Sequence, residues 1–369
     1  LGLAKVPSSA WLRQRLDAVA AELREATDEL SLRLIARTEA PISAHKGFVC
    51  CDFDTFVMDQ SGSHKEDVGR TYQGVDGYTP IAAYLGNEGW CIGLELRPGV
   101  QHSARETEYF LERILPRTVR LTAADASLLV RADSGFDSAK LLAQLVAFKA
   151  EQTARGRSFD YLVKWNPRQQ DKAGWMQRAE QQGTFQSLRD GKREAWLDET
   201  VDRPQAGMIR RVLRITERTI DKHGQMLLEP EITLDGFWTS LADASPEDIL
   251  TLYQHHGTHE QFHSEIKTDL DLERLPSGKF DTNDAILHLA MFAYNCLRLL
   301  GQLGLTGAIA PVRHPAKRRR LKTVLQEIMY RAARVIEHAR RMVLDFGRGV
   351  VAHVQVFMHL QERLRAPPS

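Results

Sequence analysis

The stretch Tyr253-Gln-His-His-Gly-Thr-His-Glu-Gln-Phe-His-Ser-Glu-Ile-Lys267 is the part of the chain from which the rest can be interpreted. If it is helical, with about 100° between residues, four of its side chains share a stripe about 60° wide. These side chains are Tyr253, His256, Glu260 and Lys267. Burying such groups in a core is costly, so the stripe suits contact with a metal ion and a phosphodiester. The alternative is a solvated face on which Glu260 and Lys267 coincide by chance.

Carboxylates on two predicted strands favour the first interpretation. Residues 47–56 are apolar and β-prone, which predicts a buried strand. Asp52 and Asp54 are two residues apart and therefore face the same side of that strand. Residues 127–135 predict another strand, which ends at Asp133 before a glycine turn. We expect Asp133 and one of the first two aspartates to meet the glutamate of the quoted stretch. The alternatives are that Asp133 only caps a helix and that Asp52 or Asp54 is a turn residue.

The order of the remaining elements predicts an α/β fold. Residues 78–85 and 90–96 are expected to form a hairpin around a turn at 86–89. Residues 159–165 are a further strand, and two amphipathic helices separate the later strands, at 103–115 and 138–149. The order β-β-β-α-β-α-β predicts a mixed five-stranded sheet flanked by helices.

Composition shifts along the chain predict five segments. They are an N-terminal helical segment (1–46, with a helix over 8–38), the first part of the core with both aspartates (47–167), a β-rich insertion (168–240), the second part of the core with the glutamate helix (241–305), and a basic, helical C-terminal region (306–369). Since the first residue is not methionine, we expect a fragment of a longer chain.

The composition is that of a soluble globular protein, with 43% hydrophobic and 26% charged residues. No apolar run is expected to span a membrane and no signal peptide opens the chain. The four cysteines form no Cys-x-x-Cys pair, which predicts a reducing cytoplasm without disulfides. We therefore expect a cytoplasmic protein with no membrane partner.

Charge is unevenly distributed although the net charge is only +1. Residues 313–348 contain eleven Lys/Arg and three Asp/Glu, a local balance of +8. Clustered positive charge is typical of phosphate-binding surfaces, so Arg318, Arg319 and Arg320 are predicted to contact DNA. The alternative is a solvated loop.

Three converging carboxylates would repel one another unless a cation lay between them. Oxygen ligands suit Mg²⁺ or Mn²⁺, and two such ions can activate a nucleophile and stabilise a leaving oxygen in phosphoryl transfer. The predicted ligands are Asp54, Asp133 and Glu260, with Asp52 as the alternative to Asp54. His256 and Lys267 would hold phosphates, and Tyr253 would donate to a phosphate or stack on a base.

Two other groups of residues allow competing interpretations. His255, His256, His259 and His263 resemble a zinc cluster, but the set lacks a second carboxylate or a cysteine. Trp196 and Trp238 in the insertion could stack on an unpaired base, although a strand tryptophan is more often part of the core.

Residues 48–302 resemble the DDE transposases of bacterial insertion sequences, in the branch with a β-rich insertion between the second aspartate and the glutamate. That family has Tyr, two residues, Arg, three residues, Glu, six residues and Lys, and the same spacing here gives Tyr253, His256, Glu260 and Lys267. The arginine is replaced by His256, which cannot bind a phosphate bidentately. Residues 131–138 are similar to the motif of the second aspartate, and Asp54-Thr55 to that of the first. Asn283 and Asn295, in and around the apolar helix that follows, also resemble residues of this family.

The resemblance implies an RNase H-like core, two divalent metal ions, cleavage at transposon ends and strand transfer into target DNA. It also implies a homodimer that holds two DNA ends, in a bacterial cytoplasm at the nucleoid. Two other functions are open at this point. One is an RNase H-like nuclease without strand transfer, and the other is a catalytically inactive, domesticated DNA-binding protein.

Overall fold

The computed structural model describes residues 7–38, 40–168, 170–338, 341–347 and 350–365. The first element, helix α1 (Ser9–Arg37), begins where the sequence predicts it. The Ser8 hydroxyl caps it by accepting a hydrogen bond from the backbone N–H of Trp11 at 3.2 Å. Part of the predicted N-terminal segment, residues 1–6 and 39, lies outside the described residues.

The central part of the chain follows the predicted order, with one addition. The loop after strand β1 forms a small three-stranded sheet of its own, β2, β3 and β4. The elements are β1 (Phe48–Thr55), β2 (Met58–Asp59), β3 (Gly69–Arg70), β4 (Asp76–Tyr78), β5 (Ile81–Leu85), β6 (Trp90–Glu95), α2 (Thr107–Leu121), β7 (Ser127–Ala132), α3 (Ala139–Ala154) and β8 (Phe159–Trp165). Helix α2 continues past Pro116, where the sequence predicts its end. Proline costs that helix one hydrogen bond, and the buried residues on both sides of Pro116 keep it helical.

The insertion is also rich in strands, as predicted. Its elements are α4 (Lys172–Gln182), β9 (Gln186–Arg189), β10 (Lys192–Arg203), β11 (Gly207–Ile220) and β12 (Met226–Thr239). All four strands pair antiparallel with their neighbours in the chain.

The main sheet has nine strands, in the order β6-β5-β1-β7-β8-β12-β11-β10-β9, and not the five expected. Strands β1, β7 and β8 run parallel to one another, β5 runs antiparallel to β1, and β6 runs antiparallel to β5. The count differs because β12 pairs with β8, Gly236–Thr239 lying opposite Leu162–Trp165. This end of β12 is buried, so the insertion shares one sheet with the core. Pairing between segments about 70 residues apart is not visible in local sequence patterns.

The segment after β12 begins with helix α5 (Pro246–Gln254), capped by Ser245 as predicted. A turn of 3₁₀ helix (His255–Thr258), helix α6 (His259–Ser264) and a π-helical turn (Glu265–Asp269) continue it. The quoted stretch is therefore helical throughout, but its winding changes twice. An ideal 100° step holds only in part, so residues at its two ends do not share one face.

Helix α7 (Phe280–Leu305) is long and apolar enough to cross a membrane by length and composition, contrary to the expectation that no such run exists. In the structure this helix packs against the rest of the protein, and 56% of its most apolar 18-residue segment is buried. Asn295 of α7 accepts a hydrogen bond from the Cys91 N–H of β6 at 3.0 Å and donates one to Ser31 of α1 at 2.7 Å. These buried polar contacts tie α1, β6 and α7 together.

The C-terminal region is only partly helical, which corrects the prediction. It comprises α8 (Leu321–Val324), a π-helical turn (Leu325–Met329), a hairpin of β13 (Arg334–His338) and β14 (Arg341–Asp345), and α9 (Val351–Arg365). The hairpin sequences contain Val335, Ile336 and Val343, which are β-branched residues that favour strands over a helix. Arg340 and Arg348 of the predicted basic stretch lie outside the described residues.

Gly89→Ala is expected to destabilise the protein by about 1–3 kcal/mol more than Gly207→Ala, measured by chemical denaturation. Gly89 ends the predicted hairpin turn, and an added Cβ would lie 2.2 Å from the Phe262 ring. Gly207 is the matched control, because its φ of +72° is close to the +71° of Gly89 and nothing lies within 4 Å of its Cβ position. The comparison therefore isolates overpacking from backbone strain. Equal losses in the two variants would contradict close packing of Phe262 on the turn.

Candidate metal and nucleic-acid site

A cavity of about 440 Å³ lies where β1 and β7 end. The helical stretch after β12 covers one side of it, and strands of the insertion form another. Its lining includes Asp54, Asp133, Ser134, Lys164, Arg214, Asp235, Phe237, Leu250, Tyr253, Gln254, His256, Gly257, His259 and Glu260. Six residues singled out from the sequence therefore share this cavity: Asp54, Asp133, Tyr253, His256, His259 and Glu260. Asp52, Lys267 and the three arginines are not part of its lining.

Asp54 is the more accessible of the two aspartates on β1, with its side chain 18% exposed. One carboxylate oxygen accepts the backbone N–H of Thr55 at 2.7 Å, and the other lies 2.7 Å from Nε2 of His259. Burial alone would raise the pKa of Asp54, but the hydrogen bond and charge of His259 hold it below the ordinary value. Asp54 therefore faces the cavity as a carboxylate.

Asp133 follows directly after β7, and its carboxylate accepts the backbone N–H of Gly135 at 2.9 Å. Burial, together with the negative charge of Asp54, raises the pKa of Asp133 to about 6. The two carboxylates are thus close enough to oppose each other's ionisation, which is the electrostatic situation that a divalent cation relieves. Asp133 does cap a helical turn through the oxygen that accepts the Gly135 N–H, as the alternative predicts, but its second oxygen accepts no hydrogen bond from the residues that the structure describes.

Glu260 lies in the first turn of α6 and is exposed on the cavity. Within the residues that the structure describes, its carboxylate makes no ion pair or hydrogen bond. The Glu260 carboxylate is therefore free to bind a ligand that enters the cavity. Tyr253 lines the same cavity as the two aspartates. Burial, and then the charges of Asp133 and Asp54, raise the pKa of its hydroxyl well above the ordinary value.

Asp52 has a different environment from Asp54. Its two oxygens accept Nε and Nη2 of Arg131 at 2.7 and 2.6 Å, and Nδ1 of His256 lies 2.9 Å away. Burial opposes ionisation, but Arg131 and His256 hold the pKa of Asp52 far below its usual range. Its lone pairs are thus already used within the protein, and the Nδ1 of His256 faces Asp52 rather than the cavity.

Lys267 and the arginine run have partners within the protein. Lys267 donates to the carbonyl of Val57 at 2.7 Å and pairs with Glu273 at 3.1 Å. Arg318 pairs with the buried Glu265 at 3.1 Å, Arg319 donates to the Leu305 carbonyl at 2.7 Å, and Arg320 pairs with Asp269 at 2.9 Å. Arg318 and Arg320 thus tie the C-terminal region to the helical stretch, and Arg319 ties it to α7. Whether they also contact DNA stays a prediction, and only Arg320 of the three is classed as exposed.

Sequence reasoning missed two cations of the cavity, Lys164 and Arg214. Lys164 lies near the end of β8, with Nζ 5.6 Å from the centre of the Tyr253 ring. Arg214 comes from β11 and pairs with Asp235 of β12 at 2.9 Å. Both residues lie in predicted strands, where they alternate with apolar neighbours. This alternation indicated that their side chains leave the apolar face of the sheet, but not that they meet the acids. What the sequence does not provide is the sheet pairing that brings β11 to the cavity.

Trp238 of the insertion does not offer a free stacking surface. Trp238 is 1% exposed, and its indole N–H donates to Asp137 at 3.1 Å. The guanidinium groups of Arg203 and Arg211 lie 5.0 and 5.1 Å from its ring. The interpretation of Trp238 as a base-stacking residue is therefore wrong, because its ring is core. Trp196 is half-buried.

The four histidines separate into two groups. His255 stacks on His45 with ring centres 3.8 Å apart, and His256 faces Asp52. His259 and His263 instead gather around Asp54, and one ligand atom from each of the three residues lies within 4.8 Å of the others. Burial lowers the pKa of His263 to about 3, so its imidazole is neutral near pH 7.

The chain belongs to the family described as Transposase DDE domain group 1, whose model matches residues 3–369. No functionally curated protein matches the chain in sequence. Among solved structures it is similar to a piggyBac transposase in a synaptic complex with hairpin DNA, with a TM-score of 0.36 and 9% identity over 87% of this chain. The chain spans 55% of the length of that structure.

Proposed function

We propose that the protein is a DNA transposase that cuts the ends of a transposable element and joins them to target DNA, in a divalent-metal-dependent reaction. The observation that carries the proposal is that Asp54, Asp133 and Glu260 line one cavity although they come from distant parts of a chain of this family. Within the larger sheet, the strand order β6-β5-β1-β7-β8 supports an RNase H-like core. Of these five strands, β5 alone runs opposite to the others.

We assign Asp54, Asp133 and Glu260 as the residues that hold Mg²⁺ or Mn²⁺. The fit rests on the mutual repulsion of Asp54 and Asp133 and on the unengaged carboxylate of Glu260. Two ions bound there would activate the attacking hydroxyl or water and stabilise the departing oxygen. The ion pair with Arg131 favours Asp54 over Asp52 as the first ligand.

Lys164, Arg214 and Tyr253 are proposed to position the DNA strand, since they line the same cavity as the acids. A phosphate entering the cavity would compete with Asp235 for the two cations, which lie 3.4 and 2.9 Å from its carboxylate. We further propose a homodimer that holds two DNA ends, acting at the bacterial nucleoid.

The test uses linear DNA that carries the sequences flanking the coding region of this chain, and therefore the ends of the element. The protein is expected to cut at discrete end positions with Mg²⁺ or Mn²⁺, to join the ends to a supercoiled plasmid, and to do neither in EDTA. Cutting without joined products would instead establish a nuclease. Binding without cutting in either metal would establish an inactive DNA-binding protein.

Lys164→Met is expected to weaken DNA binding uniformly across sequences and to reduce the salt slope of log K by about one. The reason is that one phosphate contact, with its released counterion, is lost. Fluorescence anisotropy at several salt concentrations measures the slope. The control is Arg155→Met, because Arg155 follows the far end of α3, away from the carboxyl ends of the strands. An unchanged slope in Lys164→Met would remove Lys164 from the DNA path.

A further inference from the structure

Two imidazoles and a carboxylate converge beside the acidic cavity. One oxygen of Asp54 lies 2.7 Å from Nε2 of His259 and 3.9 Å from Nε2 of His263. The three ligand atoms are all within 4.8 Å of one another, which is the spread found around a single ion. The residues at 259 and 263 are four apart, so one turn of α6 places both rings on the same side.

The outer nitrogen of each ring has its own partner, which fixes the direction of the inner one. Nδ1 of His259 is hydrogen-bonded to the backbone carbonyl of His256. Nδ1 of His263 pairs with the hydroxyl of Tyr84 at 3.1 Å, and the ring stacks on Phe56 with centres 4.4 Å apart. Metal-binding histidines are oriented in this way, with one nitrogen held by a carbonyl or hydroxyl and the other presented to the ion.

Nε2 of His263 is the atom that the protein leaves unused. The residue is 6% exposed, and Nε2 has no hydrogen-bond partner among the described residues. A buried polar atom without a partner destabilises the folded state, because it has lost its hydrogen bonds to water. Since this atom points toward Asp54 and His259, a cation bound between the three would satisfy it.

We propose that Asp54, His259 and His263 form a site for one divalent transition-metal ion, of the Mn²⁺, Co²⁺ or Zn²⁺ class. Imidazole nitrogen binds these ions well, whereas Mg²⁺ prefers oxygen ligands and keeps its waters. The inference deepens the proposed function by setting a metal preference, and it rests on that function only through the shared ligand Asp54. The site differs from the all-carboxylate set because two of its three ligands are nitrogens.

The experiment uses the full chain without a polyhistidine tag, freed of metal by chelation and titrated with Co²⁺ in excess Mg²⁺. Binding is followed by the visible absorption of Co²⁺, and stoichiometry by metal analysis after dialysis. We expect one Co²⁺ per chain that Mg²⁺ does not displace. His259→Gln and His263→Gln are each expected to weaken binding by more than about a hundredfold, since losing even a residue that only orients a metal ligand costs about 10–100-fold.

His255→Gln is the matched control, because it removes an imidazole from the same segment but outside the cluster. It is expected to leave Co²⁺ affinity unchanged. X-ray absorption of the Co²⁺-loaded wild-type chain gives a second readout that needs no substitution, and two imidazole ligands are expected.

Co²⁺ bound through oxygen alone, or equally well by wild type and both histidine variants, would overturn the inference while leaving Mg²⁺-dependent cleavage intact. Conversely, cleavage that does not depend on Asp133 would remove the proposed function without altering the Co²⁺ spectra. The two failures are therefore distinguishable.

Discussion

Asp133→Asn is expected to reduce metal-dependent DNA cleavage by at least about a thousandfold. The substitution is nearly isosteric, but it removes the negative charge that opposes Asp54 across the cavity. A catalytic metal contributes several kcal/mol to transition-state stabilisation, and each 1.36 kcal/mol corresponds to about a tenfold change in rate. The measurement is the single-turnover rate of end cleavage under saturating protein. DNA affinity, measured without metal, should change little because no cation is lost.

The control for this prediction is Asp125→Asn. Asp125 is exposed in the turn that precedes β7, the strand that Asp133 follows, so the two substitutions alter the same strand at opposite ends. Asp125→Asn should cleave like wild type. Wild-type cleavage rates in Asp133→Asn would exclude the proposed metal site.

Arg131→Met is expected to lower the free energy of unfolding by about 3–5 kcal/mol. Arg131 is 1% exposed and holds Asp52 through two hydrogen bonds of 2.7 and 2.6 Å. Removing the guanidinium leaves a buried carboxylate with only His256 beside it, and an uncompensated buried charge is costly. Urea denaturation followed by circular dichroism measures the change.

Arg120→Met is the matched control, because Arg120 also contacts a carboxylate through two nitrogens, those of Glu29 at 2.7 and 2.9 Å. That pair is 47% and 35% exposed, so its loss should cost no more than about 1 kcal/mol. The double variant Asp52→Leu/Arg131→Met should recover much of the loss, since it removes the isolated charge. Equal effects of Arg131→Met and Arg120→Met would contradict the structural role assigned to the Asp52 pair.

The strands that carry Asp54 and Asp133, the two aspartates proposed as metal ligands, were predictable from the sequence for a simple reason. Both β1 and β7 are buried on both faces, and such strands show as continuous apolar runs whose polar residues stand out. Asp133 could be placed at a strand end because a glycine turn follows it. The choice between Asp52 and Asp54 depended on Arg131, which lies 79 residues from Asp52 and becomes its neighbour only when β7 pairs with β1.

The helical stretch was predictable in type but not in detail. Tyr253, His256 and Glu260 line the cavity as expected. The 3₁₀ and π-helical turns, however, interrupt the regular 100° step, and Lys267 contacts Val57 instead. The histidine cluster was given little weight as a zinc site because the sequence offered it no second carboxylate or cysteine. That carboxylate is Asp54, about two hundred residues away on β1, and no spacing rule could have connected them.

Local charge alone overestimated the positive charge that the arginine run, Arg318–Arg320, presents to a ligand. Arg318–Arg320 stand in a strongly basic stretch, yet Glu265 and Asp269 of the helical stretch neutralise part of that charge in the folded chain. Local net charge counts only residues that are close in sequence, whereas ion pairs form between residues that are close in space.

The pairing of β12 with β8 has a consequence for attempts to simplify the protein. Excising β9 to β12 would strip β8 of its second neighbour and leave the N–H and C=O groups of Leu162–Trp165 without partners at a new sheet edge. An open apolar edge of this kind recruits strands from other molecules, so the shortened chain should aggregate rather than survive as a minimal nuclease. We therefore expect the insertion to keep the protein soluble by covering the edge of β8, in addition to forming one wall of the cavity.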